Sequence, residues 1–227
     1  MKLQAKKIDE KNSTVIKNQL YAVTEQTELI VEEQQEDSYD RVKCGFKGNG
    51  DCEIYFCKEY RPPQIPAKGH KAADILVAHL GERALFHIYD IKRRFDNDDE
   101  ILHYVEQVNT TYYDAQGLSS FTRYGKDKQQ YRFGVISSNF PTEIIEQQKE
   151  YYEKELADFE KNSQAGNLGI VKRNIFHMPE LKRRADVLSA IISKKVTMED
   201  GATFDLDVKI MDEIEGGYGC EIVFEGE

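Results

Sequence analysis

The chain has 227 residues, of which 32% are charged and 40% are hydrophobic, and its formal net charge is -10. This length fits one large domain, or a core with one appendage, and it buries a substantial core without disulfide or metal staples. The sequence has no apolar N-terminal segment and no run near the roughly 18 apolar residues of a membrane span, so we expect a cytoplasmic protein without membrane contact. Four cysteines at irregular spacing predict reduced thiols rather than a zinc site: Cys44, Cys52, Cys57 and Cys220.

The charge is distributed unevenly along the chain. Residues 199–227 hold ten Asp or Glu and one Lys, a balance of -9, which leaves the rest of the chain near -1. Residues 61–94 hold seven Lys or Arg against three acids, a balance of +4. Binding follows the local field, so a basic face in this region is compatible with a phosphate backbone. Solvated charges on an ordinary domain surface explain the pattern equally well.

The N-terminal part of the sequence predicts short strands. Apolar clusters between residues 14 and 33 are separated by polar residues, and the acidic run 32–37 predicts an exposed connection. The strand-like runs 41–46 and 52–57 flank a Gly-Asn-Gly segment, which predicts a β-hairpin. The proline-rich run 61–66 then predicts a stiff connection to the core.

Two apolar strands with embedded charges follow, and they are joined at Gly81-Glu82-Arg83. The alternation of side chains along a strand places Asp90 and Lys92 on one face and His87 on the other. If the turn contains three residues, Asp74 lies opposite Asp90. A two-residue turn would place these two carboxylates on opposite faces of the hairpin.

The rest of the chain predicts alternating helices and strands. The acidic run 96–100 begins a helix of about 18 residues that ends at Gly117. Its apolar face contains Ile101, Val105, Val108, Tyr112 and Ala115. The elements predicted after it are a buried strand over 130–137, an acidic helix over 142–162, a strand over 169–176, a basic helix over 180–193 and a β-meander over 196–198, 203–211 and 219–224.

Two carboxylates that face each other inside a sheet repel, and burying them without a counter-charge is unfavourable. A hard divalent cation resolves both problems, because Mg²⁺ binds one or two carboxylates, a carbonyl such as that of Ile91, and several waters. Lys92 would orient or help to deprotonate an attacking water and offset charge in the transition state. The alternative is a structural ion pair of Lys92 with Asp90 or Asp74, and the spacing leaves both interpretations open.

Asp74, fifteen intervening residues and Asp90-Ile91-Lys92 resemble the signature of the PD-(D/E)xK nuclease superfamily, which has a restriction-endonuclease-like fold. Over residues 70–137 the order hairpin, helix, buried strand is similar to the second half of its αβββαβ core. The resemblance implies an α/β fold with a mixed central β-sheet flanked by helices, to which the sequence pattern adds N-terminal strands and a C-terminal β-meander. We therefore divide the chain into a strand-rich extension (1–60), a nuclease-like core (61–165) and a helix plus meander packed on the same domain (166–227).

By this similarity Asp74, Asp90 and the Ile91 carbonyl would bind Mg²⁺ or Mn²⁺, and Lys92 would be the catalytic lysine. Some relatives place a Gln and a Tyr on the next helix; here Gln107 is a supporting candidate, while Tyr112 is one residue out of register and predicts core packing. Two further departures are Ala73 in place of Pro and a missing first-helix Glu, whose nearest counterpart is Glu59. The candidates for phosphate binding are Lys68, Lys71, Arg93 and Arg94.

The expected function is therefore metal-dependent hydrolysis of DNA phosphodiester bonds in a prokaryotic restriction, repair or anti-phage system, with a partner protein or a homodimer selecting the target. A different interpretation is a catalytically inactive nuclease-like subunit or adaptor, which the missing third carboxylate and the acidic C-terminus favour. An enzyme of other chemistry that uses the Asp/Lys pair is a third. His70 and His87 are weaker candidates for a base, and Lys182-Arg183-Arg184 is a phosphate contact or a solvated face.

Overall fold

A computed structural model describes residues 21–22, 28–35, 38–47, 51–55, 72–120, 124–164 and 177–226. Several predicted features lie outside these residues, among them the strands at Val15-Ile16 and 169–176 and the connection over 61–66. Within the described ranges the elements are β1 (Tyr21–Ala22), β2 (Glu28–Gln35), β3 (Ser38–Lys47), β4 (Asp51–Tyr55), β5 (Ile75–Leu80), β6 (Ala84–Lys92), α1 (Asp98–Ser120), a 3₁₀ turn (Lys126–Lys128), β7 (Gln129–Ser137), α2 (Thr142–Gln164), α3 (Met178–Ile192), β8 (Lys195–Thr197), β9 (Thr203–Ile210), β10 (Asp212–Ile214) and β11 (Gly217–Glu225). The predicted class, α/β with a mixed sheet flanked by helices, is confirmed.

The central sheet has the strand order β1-β4-β5-β6-β7-β9-β8. Strands β4, β5 and β6 are antiparallel neighbours, whereas β6, β7 and β9 run parallel. Parallel neighbours need a crossover connection, and α1 supplies it between β6 and β7. Strands from all three predicted segments of the chain therefore share this sheet, and the run β4-β5-β6-α1-β7 has the order βββαβ.

Helix α1 begins as its sequence predicts. The Asn97 side chain accepts the Glu100 N–H at 2.8 Å, and acidic residues fill the first turn. The predicted apolar face is buried against the sheet. The prediction that Gly117 ends the helix is wrong, because α1 continues to Ser120. A glycine inside a helix costs only about 1 kcal/mol, which the packing of the preceding turns offsets.

A second sheet, with the order β10-β11-β3-β2, packs on the face of the central sheet opposite α1. Strand β3 pairs antiparallel with β2 and parallel with β11. The core between the sheets is apolar and aromatic, and it contains Val42, Cys44, Ile75, Val77, Tyr89, Ile91, Ile136, Met211, Ile222 and Phe224. The central sheet is therefore covered on both faces, by helices on one and by β-structure on the other.

The predicted hairpin between residues 41–46 and 52–57 is wrong. Both sides of β3 are occupied by β2 and β11, so β4 pairs instead with β5 in the other sheet. The predicted connection over 32–37 is also shorter than expected, because β2 extends to Gln35. A Gly-Asn-Gly segment permits a change of direction, but it does not choose the strand that pairs next.

The strands predicted as a C-terminal meander form, but they divide between the two sheets. Strands β8 and β9 are antiparallel at one end of the central sheet, and β10 and β11 form a hairpin in the second sheet. The chain crosses between the sheets at Met211, whose N–H donates to the Ser137 carbonyl at 2.8 Å. The acidic segment 199–227 is thus largely built into strands.

Helices α2 and α3 complete the helical layer. Ile145 and Phe159 of α2 are buried, whereas Ile144 and Tyr151 are exposed. Helix α3 has a proline in its first turn, a position that proline favours because its missing N–H has no partner there. None of the helices in the described part of the chain combines the length and apolar content needed to cross a membrane.

Candidate functional site

The β5–β6 hairpin has the predicted register. Leu80 pairs with Ala84 and Ile75 pairs with Tyr89, so the connection contains three residues. Asp74 lies one residue before β5, and continuing the register places it opposite Asp90. The inference that depended on the turn length is therefore confirmed.

Backbone N–H groups hold the two carboxylates in place. The Asp74 N–H donates to Asp90 Oδ1 with an N···O distance of 3.2 Å. The Ile91 N–H donates to Asp74 Oδ2 at 2.9 Å. Each carboxylate thus accepts a hydrogen bond from the backbone of the opposite strand, which fixes its orientation.

Lys92 lies beside this pair. Its Nζ is 2.8 Å from Asp90 Oδ2, and only 11% of the Lys92 side chain is exposed, while Asp90 is fully buried. Asp90 and Lys92 therefore share a face of β6, as the alternation predicts. The ion pair is compatible with both interpretations of Lys92, the catalytic and the structural one.

Burial is the largest influence on Asp90 and raises the pKa of its carboxyl well above the ordinary range. The Asp74 carboxylate raises this pKa further, because two adjacent negative charges repel. The Lys92 ammonium lowers it, through its charge and through a hydrogen bond. Burial and the neighbouring carboxylate therefore favour the neutral form of Asp90, and the Lys92 ammonium opposes this effect.

Helix α1 contacts the chain directly before Asp74. Gln107 is buried, and its Nε2 donates to the Ala72 carbonyl at 3.0 Å. Thr111, one turn later, accepts the Ala73 N–H at 2.8 Å. The structure thus brings the predicted residue Gln107 to the site together with Thr111, which was not a candidate. A buried hydroxyl one turn from Gln107 on the helix was the available signal.

The predicted phosphate-binding arginines have acidic partners. Arg93 Nε is 3.5 Å from Oδ1 of the buried Asp40, and the guanidinium lies over the Tyr218 ring. It therefore ties β6 to the second sheet. Arg94 Nη2 lies 3.0 Å from Asp96 Oδ2. Four other candidates lie outside the described residues: Glu59, Lys68, His70 and Lys71.

The remaining candidates outside the cluster are packed in the core, exposed to solvent or held in ion pairs. Tyr112 is buried in the helical layer, as predicted. Lys182 is exposed, whereas Arg183 pairs with Glu106 at 3.1 Å. Arg184 joins α3 to α1 and α2 through a network that includes Asp98, Asp99, Tyr152 and Glu180.

His87 lies on the face opposite Asp90 and Lys92, as predicted. It is buried among aromatic rings, with its centroid 5.2 Å from those of His79 and Phe224. Burial, followed by the charges of His79 and Arg132, lowers the pKa of His87 to about 3. An imidazole in this position is neutral at physiological pH and has no contact with the carboxylates.

Asp74 and Asp90 offer carboxylate oxygens, the type of ligand that magnesium and manganese prefer. Among the residues that the structure describes, no group of three or more His, Cys, Asp or Glu side chains is placed to hold a metal ion. Zinc sites use three or four such ligands. Mg²⁺ keeps several waters and commonly uses one or two carboxylates, so Asp74 and Asp90 fit its requirements.

No protein-family model, curated protein or solved structure matches this chain. The resemblance to the PD-(D/E)xK nucleases thus stays a prediction from Asp74, Asp90 and Lys92. A functional assignment depends on the geometry of these three residues.

Proposed function

We propose that the chain is a metal-dependent nuclease that hydrolyses DNA phosphodiester bonds. The observation that carries this proposal is the cluster of Asp74, Asp90 and Lys92 at the ends of adjacent strands. Buried carboxylates with strongly perturbed pKa values are concentrated at functional sites. The βββαβ order of β4-β5-β6-α1-β7 supports the same proposal, because it follows the corresponding part of the nuclease core.

Asp74, Asp90 and the Ile91 carbonyl would hold Mg²⁺ or Mn²⁺. Such an ion, when bound, lowers the pKa of a coordinated water and offsets charge on the phosphate. The contribution of the protein is the prior arrangement of the carboxylates. The N–H groups of Asp74 and Ile91 orient both of them, so little ordering remains to be done when the cation binds.

Lys92 would act on the phosphate. Asp90 holds its ammonium group at 2.8 Å, and the side chain is largely removed from water. Electrostatic interactions are stronger in such surroundings, so Nζ stabilises negative charge that develops on a nearby phosphate oxygen. It also donates a hydrogen bond that orients an attacking water toward phosphorus.

The biological setting in this proposal is a prokaryotic restriction, repair or anti-phage system in the cytoplasm. Arg93 and Arg94 already have acidic partners, so phosphate contacts outside the site would come from Lys68, Lys71 or a second subunit. A partner protein or a second copy of the chain would therefore contribute to DNA binding and select the target.

A second candidate function is a nuclease-like subunit that does not cut. The observation that favours it is the Asp90–Lys92 ion pair, which partly compensates the buried charge without a cation. The lack of a third acidic side chain near Asp74 and Asp90 among the described residues favours it as well. In this role the cluster would stabilise the fold, and the protein would act through its partners.

Cleavage assays with matched variants separate the two candidates. The purified full chain is incubated with plasmid, linear DNA and RNA in Mg²⁺ or Mn²⁺, beside Asp90→Asn and Lys92→Met. The controls are Asp205→Asn and Lys195→Met, because these residues form an exposed ion pair at the end of the same sheet. We expect each site variant to lose at least about 100-fold in cleavage rate, while the controls keep the wild-type rate.

Two results would contradict the nuclease proposal. Cleavage that survives in both site variants would show that another site or a contaminant cuts the DNA. If the wild-type chain does not cut DNA and shows no Asp90-dependent binding of Mn²⁺, the non-catalytic subunit is favoured. Loss of activity in the control variants would instead indicate general instability, which circular dichroism and thermal melting would reveal.

A further inference from the structure

The backbone that leads into Asp74 is held by α1. Ala72 and Ala73 precede the first residue of β5 and are both buried. The Ala72 carbonyl accepts a hydrogen bond from Gln107 at 3.0 Å, and the Ala73 N–H donates one to Thr111 Oγ1 at 2.8 Å. Two successive residues before Asp74 are thus fastened to side chains one helical turn apart.

Thr111 is oriented for this contact. It is fully buried, and its hydroxyl donates to the Gln107 carbonyl at 3.0 Å. This bond directs the hydroxyl hydrogen into the helix and leaves an oxygen lone pair for the Ala73 N–H. A buried N–H without such an acceptor costs about 1–3 kcal/mol, so the chain at Ala73 is strongly held in this position.

The hydrogen bond from the Thr111 hydroxyl to a carbonyl of its own helix is not what distinguishes this residue, because Thr110 makes one too. Its hydroxyl makes the same kind of contact, with the Glu106 carbonyl at 3.0 Å, but Thr110 is partly exposed. Thr111 differs because its oxygen also accepts a hydrogen bond from a residue 38 positions away in the sequence. The neighbouring threonine is therefore a matched control.

We propose that Thr111 is a positioning residue that sets the place of Asp74 for cation binding. This inference rests on the proposed function. The path of the backbone through Ala73 decides whether the Asp74 N–H reaches Asp90 and whether the Asp74 carboxylate reaches the Ile91 N–H. Loss of the Thr111 oxygen frees that path and separates the two carboxylates that would share the ion.

The test is Mn²⁺ binding to the full chain, measured by isothermal titration calorimetry. The variants are Thr111→Val, which removes the acceptor at nearly constant volume, Thr111→Ser, which keeps it, and Thr110→Val. Residues that orient metal ligands commonly contribute 10- to 100-fold in affinity. We expect the Mn²⁺ Kd to rise about tenfold in Thr111→Val, and we expect Thr111→Ser and Thr110→Val to stay within about twofold of wild type.

The rescue by serine separates positioning from a purely structural role. If Thr111→Val lowers the melting temperature but binds Mn²⁺ with wild-type affinity, the inference is wrong and the proposed function is unaffected. If the wild-type chain has no Mn²⁺ binding that depends on Asp90, both fail. Should Thr111→Val not fold, Thr111→Ala removes the same acceptor oxygen with a smaller side chain. Wild-type Mn²⁺ affinity in a folded Thr111→Ala chain would then overturn the inference.

Discussion

Strand β6 buries polar side chains on both of its faces, and their surroundings differ. On the helical face, Asp90 lies between the negative charge of Asp74 and the positive charge of Lys92. On the other face, His87 and Tyr89 pack against Phe224 of the second sheet. The first arrangement concentrates charge beside a strand end, whereas the second keeps its groups neutral by removing them from water.

The two faces show that neutral buried groups and paired buried carboxylates have different effects on stability. A neutral imidazole or phenol is buried at lower cost than a charge, and the Tyr89 hydroxyl also donates a hydrogen bond to Asp207 at 2.9 Å. Two adjacent carboxylates are costly, and a protein that retains them lowers its own stability at that place. Substitutions on one face of β6, compared with substitutions on the other face and at control positions, test this difference.

The largest change in stability is expected at Gly134, which pairs with Tyr89 across β6 and β7. A Cβ at this position would lie 2.1 Å from Cε1 of the Tyr89 ring. Gly134→Ala therefore displaces a buried ring, and we expect a loss of about 3 kcal/mol in the free energy of unfolding, measured with urea.

Gly117→Ala on α1 is the control, because a Cβ there meets nothing within 4 Å. It should stabilise by up to about 1 kcal/mol. Equal effects would mean that the Tyr89 ring moves freely.

The next effect is the dependence of stability on pH. The pKa of His87 is lowered in the folded protein to about 3, below its ordinary value of 6.5, so the unfolded chain takes up the proton first. The stability that the neutral His87 contributes to the free energy of unfolding is fully present above pH 6.5 and is lost as pH falls toward 3. The loss between pH 7 and pH 5 is about 2 kcal/mol. His87→Phe should flatten this part of the curve of unfolding free energy against pH. His79, whose pKa is also lowered, keeps a residual slope. An unchanged curve would contradict the burial of a neutral imidazole.

On the helical face, Asp74→Asn should stabilise the metal-free protein. The amide keeps an oxygen for the Ile91 N–H and removes the repulsion with Asp90. We expect a gain of up to about 1 kcal/mol in EDTA and no further rise of the melting temperature when Mg²⁺ is added. The wild-type chain should melt higher in Mg²⁺ than in EDTA. Destabilisation of the variant in EDTA would indicate that the carboxylate pair is structural.

The smallest effect is expected at a surface ion pair of the second sheet. Lys43 Nζ lies 3.3 Å from Glu221 Oε1, and both side chains are substantially exposed. Lys43→Met should change the free energy of unfolding by at most about 0.5 kcal/mol. This variant sets the baseline for the other three. A change above 1 kcal/mol would mean that substitutions far from β6 also perturb its packing.

Local patterns in the sequence, together with the resemblance, were sufficient for the fold class and for the main geometry of the candidate site. The alternation along β6 placed Asp90 and Lys92 on one face and His87 on the other, and the three-residue turn aligned Asp74 with Asp90. The start and the buried face of α1 were predictable for the same reason. Strand and helix periods and short turns depend on neighbouring residues, which the sequence states directly.

Tertiary structure alone decided the partners of these elements. It separated β3 from β4, divided the C-terminal strands between two sheets and paired Arg93 with Asp40. It also brought Thr111 to the backbone before Asp74. Each of these contacts joins residues far apart in the chain, and many partners of similar polarity compete for them. The sequence by itself determined which side chains share a face of a strand, whereas packing of the whole chain determined what lies opposite them.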